Sequence, residues 1–433
     1  MNLPEDFIRE TRQLIGEARF NRFLGAFDEE APVSIRVNPL SAAWQCQAAD
    51  KVPWCPEGYY LSGRPQFTFD PLFHAGCYYV QEAASMFITH VLRELSNLTP
   101  HSTLLTPRNV LDMCAAPGGK STAMRTVLPE GSLLVSNEPI PTRAQILLEN
   151  ITKWGWPDCI VTNNYPRDFR KAKILFDLIL CDVPCSGEGM FRKDPATIGE
   201  WSLQNVEKCW RLQREIVSDA WECLNPGGLL IYSTCTYNIK ENEENVRWIM
   251  ETYDAEPVAI PTDPSWNITG SLLPGFDAPV YRFIPGITRS EGLFLCVLRK
   301  RGKWKEERVK KIDLPQNPGL NVIFSPPKLG GARGGLNQRQ TYPSFRPPLT
   351  PPDSGGESAR VDLSYQDALK YLRGEALVLP PDTPRGIVTV TYKAIPLGPA
   401  KNIGPRANNL YPKPWRIKTT HLPSEPVEII YKQ

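Results

Sequence analysis

Two cysteines stand where short β-rich runs end. LILCD (178–182) closes on Asp182 and is followed, after Val183, by Pro184 and Cys185, and GLLIYSTC (228–235) closes on Cys235. A lone cysteine at such a place is more often an inert core residue than a reactive one. Two thiols at neighbouring strand ends beside a carboxylate are suited to reaction at a poorly nucleophilic ring carbon. Carbon 5 of cytosine is one: a thiolate must first add to carbon 6, turning the ring into an enamine. A carboxyl group at ring N3 stabilises that adduct. After carbon 5 has been alkylated it must lose its proton before the thiolate can leave, and a second thiol is suited to that step. The spacing does not say which thiol attacks.

The third feature is DMCAAPGGKS (112–121), a small-residue turn between a strand and a helical stretch. Such a turn lets backbone N–H groups approach a ligand, and the helix N-terminus favours negative charge. A second strand ends in Glu138, 20 residues after Gly118, where an acidic side chain accepts hydrogen bonds from the ribose of a nucleoside cofactor. A Gly turn that merely packs against the sheet explains the loop but not Glu138. A phosphate-binding P-loop requires glycine where Cys114 stands.

The elements that must position these residues are legible in outline. NVLDMCA (109–115), SLLVSNE (132–138), CIVTN (159–163), LILCD, GLLIYSTC and GLFLCVL (292–298) alternate with helical stretches, which predicts an α/β, doubly wound sheet with ligands at its carboxyl ends. Before it, EDFIRETRQLIG and RFNRFLGAF read as helices and VSIRVNPL (33–40) as a strand. Residues 301–361 hold nine Pro and eight Gly and read as a linker. Beyond them YQDALKYLRGEAL (365–377) has helical spacing, and GIVTVTYKAIPLG (386–398) alternates as one half-buried strand, so a small α+β module is expected.

At 433 residues the chain is too long for one ordinary domain. Its net charge of +2 divides into −8 over residues 1–300 and +10 over 301–433, so the last third is expected to meet a polyanion. None of the 11 cysteines forms a C-x-x-C pair, so neither a zinc site nor another metal site is expected. The acidic, polar N-terminus and the lack of an apolar run of ~18 residues predict a soluble, cytoplasmic protein that does not enter membranes.

DMCAAPGGKS, DVPCSGEGMFRKDP (182–195) and YSTCTYNIKENEEN (232–245) resemble the RNA cytosine-C5 methyltransferases of the Sun family, particularly the bacterial RsmF type. SIRVNPL, GCYYVQEAASM (76–86), YRFIPGITRSEGLF (281–294), ALKYLRGEAL and PLGPAKNIGPRANNLYP extend the resemblance outside the core. It implies an N-terminal RNA-positioning domain (1–100), a Rossmann-like seven-stranded S-adenosylmethionine methyltransferase core (101–300) and a PUA-like RNA-binding domain (362–433), while the Pro/Gly-rich basic linker between them (301–361) has no counterpart in the resemblance. It further implies that Cys114, Ala115, Ala116, Pro117, Gly118, Gly119, Lys120, Glu138 and Asp182 contact S-adenosylmethionine or lie beside it. Among the catalytic residues it makes Cys235 the nucleophile, Cys185 the aid to product release and Asp182 the group at N3. The implied substrate is 16S-type ribosomal RNA or the small ribosomal subunit. A transfer-RNA cytosine methyltransferase, or a non-catalytic ribosome-assembly factor of the same fold, are the alternatives; a DNA methyltransferase lacks its target-recognition domain here. Two positions depart from the family pattern: Tyr165 stands where an acidic residue is usual, with Asn164 and Asp168 as candidate substitutes, and Gly286 replaces a histidine.

Overall fold

The structure is a computed structural model and describes residues 2–41, 44–46, 50–98, 109–302, 314, 319–324, 359–419 and 421–432. Two amphipathic helices come first, α1 (Glu5–Ile15) and α2 (Glu17–Gly25), which bury Phe7, Ile15, Phe20 and Phe23. Strands β1 (Val33–Val37), β2 (Trp44–Cys46), β3 (Lys51–Val52) and β4 (Cys55–Leu61) follow, then α3 (Pro71–His74), β5 (Tyr78–Val80) and α4 (Phe87–Leu98). Four of the strands form an antiparallel sheet in the order β3-β4-β1-β5.

The core runs β6 (Asn109–Asp112), α5 (Gly119–Val127), β7 (Leu133–Asn137), α6 (Pro141–Trp154), β8 (Cys159–Thr162), α7 (Pro166–Lys171), β9 (Phe176–Asp182), α8 (Leu203–Glu222), β10 (Leu224–Thr234) and α9 (Glu243–Tyr253). Strands β11 (Ala255–Pro257), β12 (Val280–Phe283), β13 (Leu293–Lys300) and β14 (Val322–Phe324) complete it. Five strands are parallel in the order β8-β7-β6-β9-β10, and antiparallel β13 and then β12 bring the row to the expected seven. Short β11 shares the outer edge of β13, and β14 lies antiparallel along β8. Helices cover both faces, so the strands are buried on both sides and read as near-continuous apolar runs. The order reverses between β6 and β9, and this switch point opens the ligand crevice at their carboxyl ends.

Residues 322–324 fall inside the stretch expected to be linker, yet they pair with the sheet. Most of that stretch lies outside the described residues.

After it come β15 (Arg360–Asp362), α10 (Tyr365–Arg373), β16 (Gly386–Tyr392), β17 (Ile395–Asn402), β18 (Ala407–Asn409) and β19 (Ile430–Lys432). The expected single strand over 386–398 is in fact a hairpin of β16 and β17. Its two-residue turn places Lys393 and Ala394 at φ of 52° and 65°, the positive angles that a tight hairpin needs. This C-terminal unit packs on the N-terminal one: Tyr371, Leu372, Trp415 and Ile417 share an apolar core with Ile35, Val37, Leu72 and Tyr78. The backbone of β19 also pairs with that of β2.

Candidate active site

The 113–118 loop leaves β6 and enters α5 through Gly118, whose φ of 114° lies in the region that favours glycine. Asn137, the last residue of β7, ties three strand ends together. Its Nδ2 donates to the carbonyls of Met113 (3.0 Å) and Asn164 (2.9 Å), and its Oδ1 accepts from the Thr162 hydroxyl (2.9 Å) and the Asn164 amide (3.0 Å). Arg36 on β1 supports the helix from below, donating to the Thr122 hydroxyl at 2.6 Å and to Gln81 Oε1 at 2.8 Å. Burial brings its pKa down to about 10, and its guanidinium lies 4.3 Å from the Trp154 ring centroid.

Glu138 begins the next loop and is 1% exposed. Its Oε1 accepts from the Ile140 amide at 3.0 Å, while Oε2 has no hydrogen-bond partner and stands 3.6 Å from the Arg143 guanidinium. A buried carboxylate oxygen without a donor is costly unless a ligand supplies one. Asp112, which accepts from the Ser121 hydroxyl at 2.6 Å, leaves Oδ1 unpaired in the same way, and burial raises its pKa to about 7. Burial also pushes the Cys114 thiol well above the ordinary range, so it stays neutral. A glycine-bounded loop with two unpaired carboxylate oxygens fits the hydroxyl and amine donors of S-adenosylmethionine.

The second half of the site faces the first across the switch point. Asp182 ends β9 level with Ser233 on β10, and its Oδ1 accepts from the Ser233 hydroxyl at 2.8 Å. Its Oδ2 accepts from Lys120 Nζ at 2.9 Å. Burial opposes the Lys120 charge, but the Asp182 carboxylate outweighs it and holds the lysine pKa above its usual value. Beyond the two strands the thiols meet: Cys185 Sγ lies 3.1 Å from Cys235 Sγ. The hydrogen bond with Cys235, and then burial, push the Cys185 thiol well up. Close approach of the two loops depends on Gly189, whose amide donates to the Cys235 carbonyl at 2.8 Å; a Cβ there would lie 2.4 Å from that oxygen.

The structure thus brings Asp182, Cys185, Cys235 and Lys120 into one group at the carboxyl ends of β9 and β10, with the 113–118 loop and Glu138 at the carboxyl ends of β6 and β7. Lys120, expected among the cofactor contacts, is bonded to Asp182. Sequence reasoning missed Asn137, Ser233 and Arg36. Arg36 sits in the quoted SIRVNPL run but carries no sign of its distant partner Thr122.

Residues 102–299 match the family "16S rRNA methyltransferase RsmB/F", residues 3–83 match "N-terminal domain of 16S rRNA methyltransferase RsmF", and residues 358–417 match "Methyltransferase RsmF PUA domain". A ribosomal RNA small subunit methyltransferase F from Escherichia coli is 32% identical over 75% of this chain and 68% of its own. The chain belongs to the RsmF family. An RsmF relative from Cronobacter sakazakii is 29% identical over 95% of this chain and 96% of its own length. Among solved structures, a methyltransferase homolog from Pyrococcus horikoshii has a TM-score of 0.55 at 26% identity, covering 69% of this chain and 95% of that one. NSun6 from the same organism has the same fold at a TM-score of 0.54 and 20% identity, covering 69% of this chain and 99% of that one.

This RsmF-family chain accounts for its own departures. Neither expected substitute for an acidic residue at 165 reaches toward a ligand. The Asp168 carboxylate turns back to accept the Tyr165 amide at 3.0 Å, and the Asn164 side chain exchanges hydrogen bonds with the Asn321 backbone, donating at 3.2 Å and accepting at 2.8 Å. Tyr165 itself is 56% exposed.

Proposed function

We propose that the protein transfers a methyl group to carbon 5 of a cytosine in small-subunit ribosomal RNA through a covalent adduct between Cys235 and carbon 6. The observation that carries this reading is the contact of two thiols, 3.1 Å apart, beside the Asp182–Lys120 pair. S-Adenosylmethionine, held by the 114–120 loop and Glu138, supplies an electrophilic methyl group.

Two thiols in contact cannot both ionise readily, because each charge opposes the other. The resemblance of the Thr-Cys motif to the Sun family makes Cys235 the thiol that attacks carbon 6 and leaves Cys185 for the later step. The Asp182 carboxyl, oriented by Lys120 and Ser233, takes up a proton and delivers it to N3 as the thiolate adds to carbon 6, which stabilises the enamine adduct. With the Cys235 sulfur held as a neutral thioether, Cys185 gives its proton to water and, as thiolate, takes the carbon 5 proton. The carbon 5–carbon 6 double bond re-forms, the carbon 6–sulfur bond breaks, Cys235 leaves as thiolate and N3 returns its proton to Asp182. One thiol therefore serves each half of the reaction.

The N-terminal unit positions the RNA and the C-terminal unit, with the basic stretch before it, grips it, which is consistent with the +10 balance of residues 301–433. A ribosomal RNA substrate assigns the protein to the cytoplasm; among the described residues no helix is long and apolar enough to cross a membrane. The test is bisulfite sequencing of small-subunit ribosomal RNA and of transfer RNA after incubation of each with the protein and S-adenosylmethionine. A new protected cytosine in small-subunit RNA supports the reading, and protection confined to transfer RNA overturns the substrate.

A further inference from the structure

Two carboxylates lie behind the thiols and take no part in the reaction above. Glu188 is 2% exposed and belongs to the loop of Cys185; Glu241 is 0% exposed and belongs to the loop of Cys235. Each reaches across to the other loop. Glu241 Oε2 accepts from the amide of Ser186, the residue after Cys185, at 3.0 Å. Glu188 Oε2 accepts from the amides of Tyr237 and Asn238, just beyond Cys235, at 2.5 and 3.1 Å.

The remaining oxygens are also satisfied. The Asn238 side-chain amide bridges the pair, donating to Glu188 Oε1 at 2.9 Å and Glu241 Oε1 at 2.8 Å. Trp201 Nε1 donates to Glu188 Oε1 at 3.0 Å. Gln213 Nε2 donates to Glu241 Oε2 at 2.6 Å and to the Pro184 carbonyl at 2.9 Å, so α8 also holds the residue before Cys185.

Burying two like charges side by side is expensive, and burial followed by the Glu188 charge raises Glu241 to about 7. Apolar packing would hold two loops together at less cost. Carboxylates add direction: each fixes backbone N–H vectors one to three residues from a reacting sulfur, and catalysis is sensitive to misplacement of about 1 Å.

We propose that Glu188 and Glu241 are positioning residues that form a reciprocal clamp, each carboxylate leaving one cysteine loop and holding the other, so that the two thiols stay in contact. The clamp's catalytic effect rests on the function proposed above; its geometric effect does not.

The full chain carrying Glu188→Gln, Glu241→Gln or Asn238→Ala tests this through two measurements. In the first, diamide takes two hydrogens from the thiols and a disulfide forms between Cys185 and Cys235, followed by peptide mass spectrometry. Each variant should form it at least five-fold more slowly than the wild type, because the effective concentration of one thiol at the other falls. In the second, single-turnover methylation should slow ten-fold or more, with KM for RNA and affinity for S-adenosylmethionine within two-fold of the wild type. Asn238→Ala keeps both carboxylates and serves if the Gln variants fail to fold. A disulfide rate within two-fold of the wild type overturns the clamp whether or not the wild type methylates RNA. A lowered melting temperature with kcat intact overturns it too, by reducing the pair to a structural brace. A wild type that forms the disulfide quickly but methylates no cytosine would overturn the proposed function and leave the clamp standing.

Discussion

Gly286 packs so closely on α2 that a Cβ at this position would lie 2.3 Å from the Arg22 carbonyl oxygen. Its φ of 75° adds a second reason for glycine. The histidine usual in the family is therefore excluded by the way the N-terminal helices sit against the strap after β12. Restoring it, Gly286→His, should destabilise the protein by roughly 2 kcal/mol or more, from left-handed strain and from forced separation of α2. Urea unfolding checks this; a variant as stable as the wild type would show that α2 can shift without cost.

Glu138 Oε2 is buried, accepts no hydrogen bond and has the Arg143 guanidinium 3.6 Å away. Glu138→Ala should weaken binding of S-adenosylmethionine by roughly 1.5–3 kcal/mol, the usual loss for hydrogen bonds to a charged group. Titration calorimetry is the measurement. Removal of that oxygen also relieves an unsatisfied group in the unbound protein, so the melting temperature without ligand should not fall in proportion. Equal affinity in wild type and variant would mean that the ribose is held elsewhere.

The contact between the terminal units carries a pH dependence. His74 on α3 donates through Nε2 to the Thr68 carbonyl at 2.9 Å, and its Nδ1 faces the Tyr411 hydroxyl at 3.5 Å. Burial, and then the charge of Lys153, lower its pKa from 6.5 to about 3. A depressed histidine stabilises the fold above its unfolded pKa and loses that contribution as pH falls from about 6.5 toward 3. Asp70, Asp112, Glu241 and Glu291, which burial raises to about 7, contribute in the opposite sense over that window, so the His74 share is read as a difference between wild type and variant. The stability of His74→Gln relative to the wild type should rise as pH falls from about 6.5, and a difference that does not change with pH would show that His74 carries none of the dependence.

The core strands were legible because burial on both faces leaves continuous apolar runs between turn residues, as in LILCD and GLLIYSTC. What failed was local chemistry overridden by distant contacts. Lys393 and Ala394 carry none of the Gly or Asn signals of a hairpin, so 386–398 read as one strand although it folds back on itself. Val322–Phe324 sits in a Pro- and Gly-rich stretch, and only its pairing with β8 makes it a strand. Within the site, Asp182 and the two cysteines announced themselves by residue type. Ser233 and Asn137 are ordinary polar residues whose roles depend on register, which a single chain does not display.

The division of labour between the thiols is the sharpest consequence of the 3.1 Å contact. If Cys235 attacks carbon 6, Cys235→Ala should lose methylation and form no covalent complex, since carbon 5 never becomes nucleophilic without the adduct. If Cys185 acts only after methyl transfer, Cys185→Ala should attack and methylate, then stall with RNA attached. That complex survives denaturing electrophoresis as a shifted band, and its RNA should carry the methyl label. Asp182→Asn should reduce adduct formation, because it removes the N3 partner and leaves Lys120 without its counter-charge. Trapped RNA in Cys235→Ala and none in Cys185→Ala would reverse the assignment and make the Pro-Cys thiol the nucleophile.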